Sequence, residues 1–306
     1  MSKQSFTLIT PCLNRINTIG RMLASVATQG RHDIQHLVID GGSTDGSIEW
    51  ARAQGRFEVI VEPGEGLYAA INRGIGLARG DVVLLLNTDD ELLPGAMDIL
   101  SKVFSRQTEV DIVAAGAEVV ELAAGVTVVY DDPKTCALRV RNCISGQAMP
   151  NAKAFRQRAL AAVGLFDPRW RLMSDRDFLL RACAQGLTAV SVRQPVYRYH
   201  IHSGSLTLSD TARNPALALE QLEMSIVRLA ETADTPYAAL YRRFHAYSAG
   251  YQVLALARNG EIGAALRLIR QAAHRDRAFL LLAAAELAGH LGERSSRRGR
   301  QVSPIR

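Results

Sequence analysis

Val82-Val-Leu-Leu-Leu86-Asn-Thr-Asp-Asp90 is the stretch whose reading decides the fold. Five apolar residues in a row, without polar alternation, fit a central parallel strand buried on both faces, and two acids follow almost at once. Upstream the same kind of run recurs three times: Phe6-Thr-Leu-Ile-Thr10, ended by Pro11; His36-Leu-Val-Ile-Asp40; and Phe57-Glu-Val-Ile-Val61. Between them lie stretches with helical spacing. Ile16, Ile19, Leu23, Val26 and Ala27 mark one from Ile16 to Thr28. A second runs from about Thr44 to Gln54 after the turn Gly41-Gly42-Ser43, and a third from Leu67 to Ala78. Strand and helix in alternation predict a parallel α/β sheet with right-handed crossovers.

In such a sheet the ligand lies at the carboxyl ends of the strands. The residues predicted there are Thr10 and Pro11, Asp40, Glu62, and Asn87 to Asp90, which gathers several carboxylates on one edge. Neither familiar phosphate loop is present. Pro11-Cys-Leu-Asn-Arg15 follows the first strand where a dinucleotide site would have Gly-x-Gly-x-x-Gly, and no Gly-x-x-x-x-Gly-Lys-Ser/Thr occurs. A bound nucleotide would then need a divalent cation to neutralise its phosphates, and hard oxygen donors such as Asp89 and Asp90 suit Mg²⁺ or Mn²⁺. Each acid also has a plainer reading. Asp40 could close a tight strand–helix turn with Ser43 or Thr44 as N-cap. Asp89 and Asp90 could form a solvated loop before the helix start at Pro94. Two acids at a buried strand end are costly unless paired or metal-bound, which favours the metal.

Together these motifs resemble the family 2 glycosyltransferases of GT-A fold. The likeness rests on Thr10-Pro11-x-x-Asn14-Arg15, Asp40-Gly-Gly-Ser-Thr-Asp-Gly46, Gly66-x-Tyr68-x-Ala70-x-Asn72-x-Gly74 and Leu86-Asn-Thr-Asp-Asp90. It continues through Gln147, Val163-Gly-x-Phe-Asp167, Ser174-Asp175-x-Asp-x-x-Leu180-Arg181 and Arg198-x-His200-x-x-Ser203, and covers roughly residues 5–207. The resemblance implies a Rossmann-like, mostly parallel sheet, an inverting reaction, and a nucleotide-diphosphate sugar donor, UDP- or dTDP-linked. It also implies a divalent cation and a saccharide or lipid-linked glycan acceptor, as in polysaccharide biosynthesis. It places Thr10, Pro11, Asn14, Asp40, Glu62, Asn72 and Asp89 against the nucleotide sugar, Asp90 and His200 at the metal, and Asp175 as general base. His200 is preferred to His202 because it occupies the motif position. Asp177 is the alternative base, but two residues along a helix it points about 200° away. The chain departs from the family at Tyr68-Ala69-Ala70, where Tyr-Asp-Ala is usual, and at Glu62-Pro63-Gly64, where Glu-x-Asp is usual. Two competing readings are a nucleotidyltransferase, which would need a glycine-rich basic loop after the first strand, and a catalytically silent sugar-nucleotide-binding scaffold.

Past residue 110 the pattern loosens into short strands, Asp111–Ala115, Thr127–Tyr130 and Ala189–Val192, around a helix at Ser174–Gln185. Beyond Asp210 strand signals stop, and helices are predicted at Asn214–Thr232, Pro236–Arg258 and Ile262–His274. This divides the chain into a transferase domain (1–210), a helical C-terminal region (211–290) and a basic, disordered tail (291–306). The composition of 48% hydrophobic and 22% charged residues belongs to a folded protein rather than a disordered one. The net charge of +6 is concentrated at the end: residues 1–210 balance at 22 basic and 22 acidic, whereas the last sixteen carry five arginines against Glu293. No basic face with interleaved aromatics follows from that, so nucleic acid is not an expected partner. No leader pattern and no apolar run near 18 residues is seen, and the four cysteines form no metal or redox motif. The expected location is cytoplasmic. The apolar stretch Ala278–Leu291 and the arginine-rich tail suggest peripheral contact with the cytoplasmic face of the inner membrane.

Overall fold

The computed structural model describes residues 4–64, 66–121, 125–146, 150–202, 215–294 and 300–302. The first half runs β1 (Phe6–Cys12), α1 (Ile16–Ala27), β2 (Ile34–Asp40), α2 (Ser47–Ala53), β3 (Glu58–Val61), α3 (Leu67–Leu77), β4 (Val82–Leu85), β5 (Glu91–Leu92) and α4 (Ala96–Arg106). Then come β6 (Ile112–Glu121), β7 (Val126–Tyr130), α5 (Pro133–Cys136), α6 (Val140–Ser145), β8 (Lys153–Arg156), α7 (Gln157–Val163), α8 (Ser174–Ala184) and β9 (Ala189–Ile201). The chain closes with α9 (Pro215–Glu231), α10 (Ala238–Arg258), α11 (Ile262–Arg275), α12 (Phe279–Arg294) and β10 (Arg300–Val302).

β3, β2, β1 and β4 lie side by side in that order, all parallel. Chain order reverses between β1 and β4, so the crevice at their carboxyl ends is the switch point at which ligands enter such sheets. Pro11 fits inside β1 because of that reversal. The Ile9 carbonyl accepts from Leu86 N–H, so two residues on, the Pro11 nitrogen faces the same side beyond the end of β4, where no ladder bond is lost.

Beyond β4 the sheet is mixed. β8 runs antiparallel to β4, β6 to β8, β7 to β6 and β10 to β7, while β9 runs parallel to β6 and antiparallel to the two-residue β5. A mostly parallel sheet is therefore correct for the first ninety residues only. β6 and β7 are joined by four residues, too few for a crossover, so they pair as a hairpin. β9 runs nine residues past its predicted end because the polar break Arg193-Gln194-Pro195 is absorbed by register shifts on either side of Gly116. A Cβ at Gly116 would meet the Arg193 and Tyr130 carbonyl oxygens at 2.8 Å.

The period-two alternation of β4 supplies both apolar layers. Val83 and Leu85 join Ile9, Leu37, Tyr68 and Ile71 on one face. Val82, Leu84 and Leu86 join Phe6, Leu8, Met22, Leu100 and Phe104 on the other. The first layer does not end with the sheet. Met224 of α9 and Leu240, Tyr241, Phe244 and Tyr247 of α10 belong to the same cluster as Phe155, Phe166 and Phe178. The predicted boundary at residue 210 thus cuts across this layer, although a smaller cluster of Ala246, Ala249, Ala272, Phe279 and Ala283 lies wholly beyond it. Nor is the whole tail without structure, as the sequence suggested: α12 continues through Arg294, and Arg300–Val302 pair with Thr127–Val129 of β7. Residues 295–299 and 303–306 lie outside the described residues. Among the described residues no helix is long and apolar enough to cross a membrane.

Candidate active site

The loops after β1 and β2 hold each other. Asn14 takes a left-handed conformation (φ 52°), its N–H donating to Ser43 Oγ (2.7 Å) and its Oδ1 accepting from Thr44 N–H (2.9 Å). The first N–H groups of α1 have no cap from Arg15. They donate instead across the loop, Arg15 to Ser47 Oγ (2.8 Å) and Ile16 to Asp45 Oδ2 (3.0 Å). Asp40 is 1% exposed and accepts from Gly42 N–H, Ser43 N–H and Ser43 Oγ at 2.8, 2.7 and 2.6 Å. Its turn-closing role is therefore realised, and three of its roughly four acceptor positions are occupied.

Three residues expected against the nucleotide sugar are committed elsewhere. Thr10 is fully buried, and its hydroxyl pairs with His36 Nε2 (2.8 Å) inside the sheet; side chains alternate along a strand, and this one points inward. Asn72 spends both ends of its amide on one residue, donating to the Phe166 carbonyl (2.7 Å) and accepting from Phe166 N–H (2.9 Å). It docks the Val163–Asp167 turn, whose Phe166 stacks between Tyr68 and Phe178. Glu62 pairs with Arg73 on an exposed surface. Pro11 is buried at the strand end.

The acid pair lies at the edge after β4. Asp90, 1% exposed, accepts from Tyr197 OH (2.6 Å) and Asn87 Nδ2 (3.0 Å) at Oδ2, and from His200 N–H (3.0 Å) at Oδ1. Burial, with the charge of Asp89 added, pushes its carboxyl up to about 7. Asp89 is more open. Its Oδ2 lies 3.0 Å from His202 Nε2, the two side chains being 19% and 25% exposed. The His200 ring instead meets Glu91 Oε1 at 2.7 Å. The imidazole facing the acid pair is thus His202, not His200, the reverse of the preference taken from motif position. A strand explains it: His200 and His202 share a face, but β5 ends the pairing so that Glu91 lies under the first of them. Tyr197 and Asn151, whose Nδ2 donates to Tyr197 OH (2.9 Å), were missed in the sequence, whereas Asn87 was placed at this strand end. The alternation Tyr197-x-Tyr199 just before the histidines was the available signal.

A divalent cation can be tested against this donor set. Among the described residues no three His, Cys, Asp or Glu side chains converge into a metal site. Asp90 Oδ1 accepts a single bond, leaving a lone pair, and Asp89 with His202 offers a carboxylate and an imidazole. Such a set fits a hard cation that takes its remaining ligands from substrate phosphates and water.

Asp175 opens α8, half-buried, with Oδ1 accepting its neighbour's Arg176 N–H (2.6 Å). Burial raises its carboxyl to about 6, against the pull of Arg176. The Arg176 guanidinium itself is turned to the carbonyls of Cys143, Ile144 and Gly146 at the end of α6. Tyr68 lies beside Asp175, its hydroxyl pushed well up by burial and then by the Asp175 charge, so the third motif and the α8 motif meet here. Asp177 faces the other way. Fully buried, it accepts from Arg181, Tyr241 and both Nε and Nη2 of Arg228 at 2.8 to 3.0 Å. Gln147 and Ser203 of the resemblance lie outside the described residues.

A parallel half-sheet with an acid pair at its switch point, and a carboxylate-headed helix beyond it, is an architecture of GT-A type. Residues 7–127 match the family described as Glycosyl transferase family 2. The Bacillus subtilis protein EpsH is 26% identical over 218 residues, 67% of this chain and 63% of that protein, so the match stops short of two thirds of EpsH. A PGL/p-HBAD biosynthesis glycosyltransferase of Mycobacterium bovis is 27% identical over 198 residues, covering 59% of this chain and 70% of that one. Among solved structures, S. aureus TarS 1–349 in complex with UDP-GlcNAc superposes with a TM-score of 0.67 at 16% identity, over 91% of this chain and 81% of that one. The mannosyltransferase PcManGT from Pyrobaculum calidifontis, in complex with GDP-Man and Mn²⁺, gives 0.54 at 16% identity, over 95% and 88%. Over residues 7–127 the chain is thus similar to the family 2 glycosyltransferases, and its likeness to the solved structures is one of fold.

Proposed function

We propose that the enzyme moves one sugar, with inversion, from a UDP- or dTDP-linked donor to a hydroxyl of a saccharide or lipid-linked glycan acceptor, with Asp175 as general base. The observation that carries this reading is the contrast at the start of α8. Asp177 is saturated by three side chains, while Asp175 is half-buried, raised to about 6, and beside Tyr68. A carboxyl near that value is ionised at neutral pH yet basic enough to accept a proton in the transition state. As the acceptor oxygen bonds to the anomeric carbon, the Asp175 carboxylate takes the hydroxyl proton, and the bond to the diphosphate breaks with its electron pair on the leaving oxygen. The Asn14–Ser43 latch and Asp40 would shape the base and ribose end, with Asp89 nearby. Asp90 and His202 would hold a divalent cation. When bound, that cation supplies charge compensation for the leaving diphosphate.

The complexes of TarS with UDP-GlcNAc and of PcManGT with GDP-Man and Mn²⁺ support a nucleotide-sugar donor and a divalent cation for this reading. The family match over residues 7–127 favours glycosyl over nucleotidyl transfer and supports an enzyme over a silent scaffold. Cytoplasmic placement and a peripheral hold on anionic lipid through α12 and the basic tail belong to the same proposal. The test has two stages. A thermal-shift screen of UDP-, dTDP- and GDP-sugars with Mn²⁺ identifies the donor by stabilisation through mass action. Turnover of that donor is then compared in wild type and Asp175→Asn. The variant is expected to lose a factor of roughly 10²–10⁴ in rate with donor affinity retained, and NMR of the wild-type product is expected to show inversion. Near-normal turnover by Asp175→Asn, or retained configuration, would overturn the reading.

A further inference from the structure

We propose that Glu220, on the first helix of the C-terminal region, is a positioning residue for Asp175: its carboxylate caps the turn that enters α8 and thereby fixes where the base stands. The proposal rests on Asp175 being the base, and its test is independent of turnover.

The turn into α8 lacks a cap of its own. Met173, at the N-cap position, makes no side-chain bond to the helix start, where Ser, Thr, Asp or Asn would normally serve. The bond comes instead from 47 residues further along the chain. Glu220 Oε1 accepts from Leu172 N–H at 2.6 Å and from Met173 N–H at 3.0 Å. One carboxylate oxygen receiving two successive backbone N–H groups is a charge-assisted cap. It clamps the two residues that lie three and two places before Asp175.

A second tie stops the helix from pivoting about that cap. Asp177, two places after the base, is gripped by Arg228 of α9 and Tyr241 of α10. Asp175 therefore stands between two fastenings made by the C-terminal helices, while its own side chain is bonded only to Arg176 N–H among the hydrogen bonds described. The charged and titratable groups that face it are Arg176 from its own helix, Tyr68 from α3, Lys153 from β8 and Glu220 from α9. The carboxylate among them is Glu220, so the residue that sets the base's position also adds negative charge beside it. No motif in the sequence pointed to Glu220, because its partners lie 48 and 47 residues earlier in the chain.

Two variants separate the cap from the charge. Glu220→Gln keeps an acceptor oxygen and removes the charge; Glu220→Ala removes both. Amide hydrogen exchange at Leu172 and Met173 reads the cap. Carbon-13 NMR of the aspartate carboxyls, with the Asp175 signal assigned by its loss in Asp175→Asn, reads the base. Glu220→Gln is expected to keep both amides protected and to lower the Asp175 titration midpoint by about half a pH unit or more, since a like charge has gone. In Glu220→Ala exchange at both amides should accelerate by about tenfold or more, with the midpoint lowered again. Unchanged exchange in Glu220→Ala, or an Asp175 midpoint that stays at the wild-type value in both variants, would overturn the proposal. If Asp175→Asn turned over donor normally, the base assignment would fall while the exchange and titration results still judged the cap.

Discussion

Asp89 and Asp90 are adjacent in sequence, yet one is 19% exposed beside His202 and the other is sealed under Tyr197, Asn87 and the His200 backbone. The division gives each histidine a distinct test. His202→Ala should weaken Mn²⁺-dependent UDP binding by about tenfold or more if its ring is a ligand. His200→Ala should leave that binding within a few-fold, because its ring is spent on Glu91. Isothermal calorimetry with UDP, with and without Mn²⁺, compares them; equal losses would reject the assignment. At this scale the sequence revealed which residues gather at the edge but not which way they turn. Strand-end position placed Asp40 at the end of β2 and Asp89 and Asp90 after β4, on the carboxyl edge of the parallel strands. Thr10 and Asn72 could not be read, because their roles depend on partners 26 and 94 residues away.

Elements are tied to one another by polar contacts that periodicity does not encode. α3 lies flush on β1, since a Cβ at Gly74 would run into the Ile9 side chain, and Asn72 fastens the same helix to the turn at Phe166. Removing that amide in Asn72→Ala leaves the N–H and C=O of a residue only 2% exposed without their partners. The expected cost is about 2 kcal/mol or more, read as a lower midpoint in urea unfolding with unchanged slope. Metal-dependent UDP binding should persist, which a direct contact with the nucleotide sugar would not allow. The four parallel strands were legible because β-branched and aliphatic runs between helical stretches admit few other readings. β5 was not, being two residues long, nor was β8, whose Lys153-Ala-Phe-Arg156 has only two apolar residues between charges, and β9 hid its length behind a proline.

The protein as a whole carries an acid-sensitive interior. His36 is buried against Thr10 and Phe57, and burial holds it down at about 3. Below its ordinary value of 6.5 the unfolded chain takes up a proton that the folded chain refuses, so stability falls as pH drops towards 3. Asp90, raised to about 7, acts in the opposite sense, so the comparison must be made with a variant. Between pH 7 and 5, His36→Gln should lose about 2 kcal/mol less stability than wild type, measured by chemical denaturation at each pH. Equal losses would show that His36 titrates normally in the fold.

The continuous apolar layer that runs from β4 through Phe178 to Phe244 has a consequence for anyone recombining such enzymes. A chimera cut near residue 210, taking the sheet from one parent and the helices from another, would divide that layer between two parents. It would pair α8 with foreign neighbours, exposing the buried charge of Asp177 to a mismatched counter-ion and leaving the turn at Met173 uncapped. Exchange of donor preference between relatives should therefore succeed only when α8, α9 and α10 travel as a single inherited block.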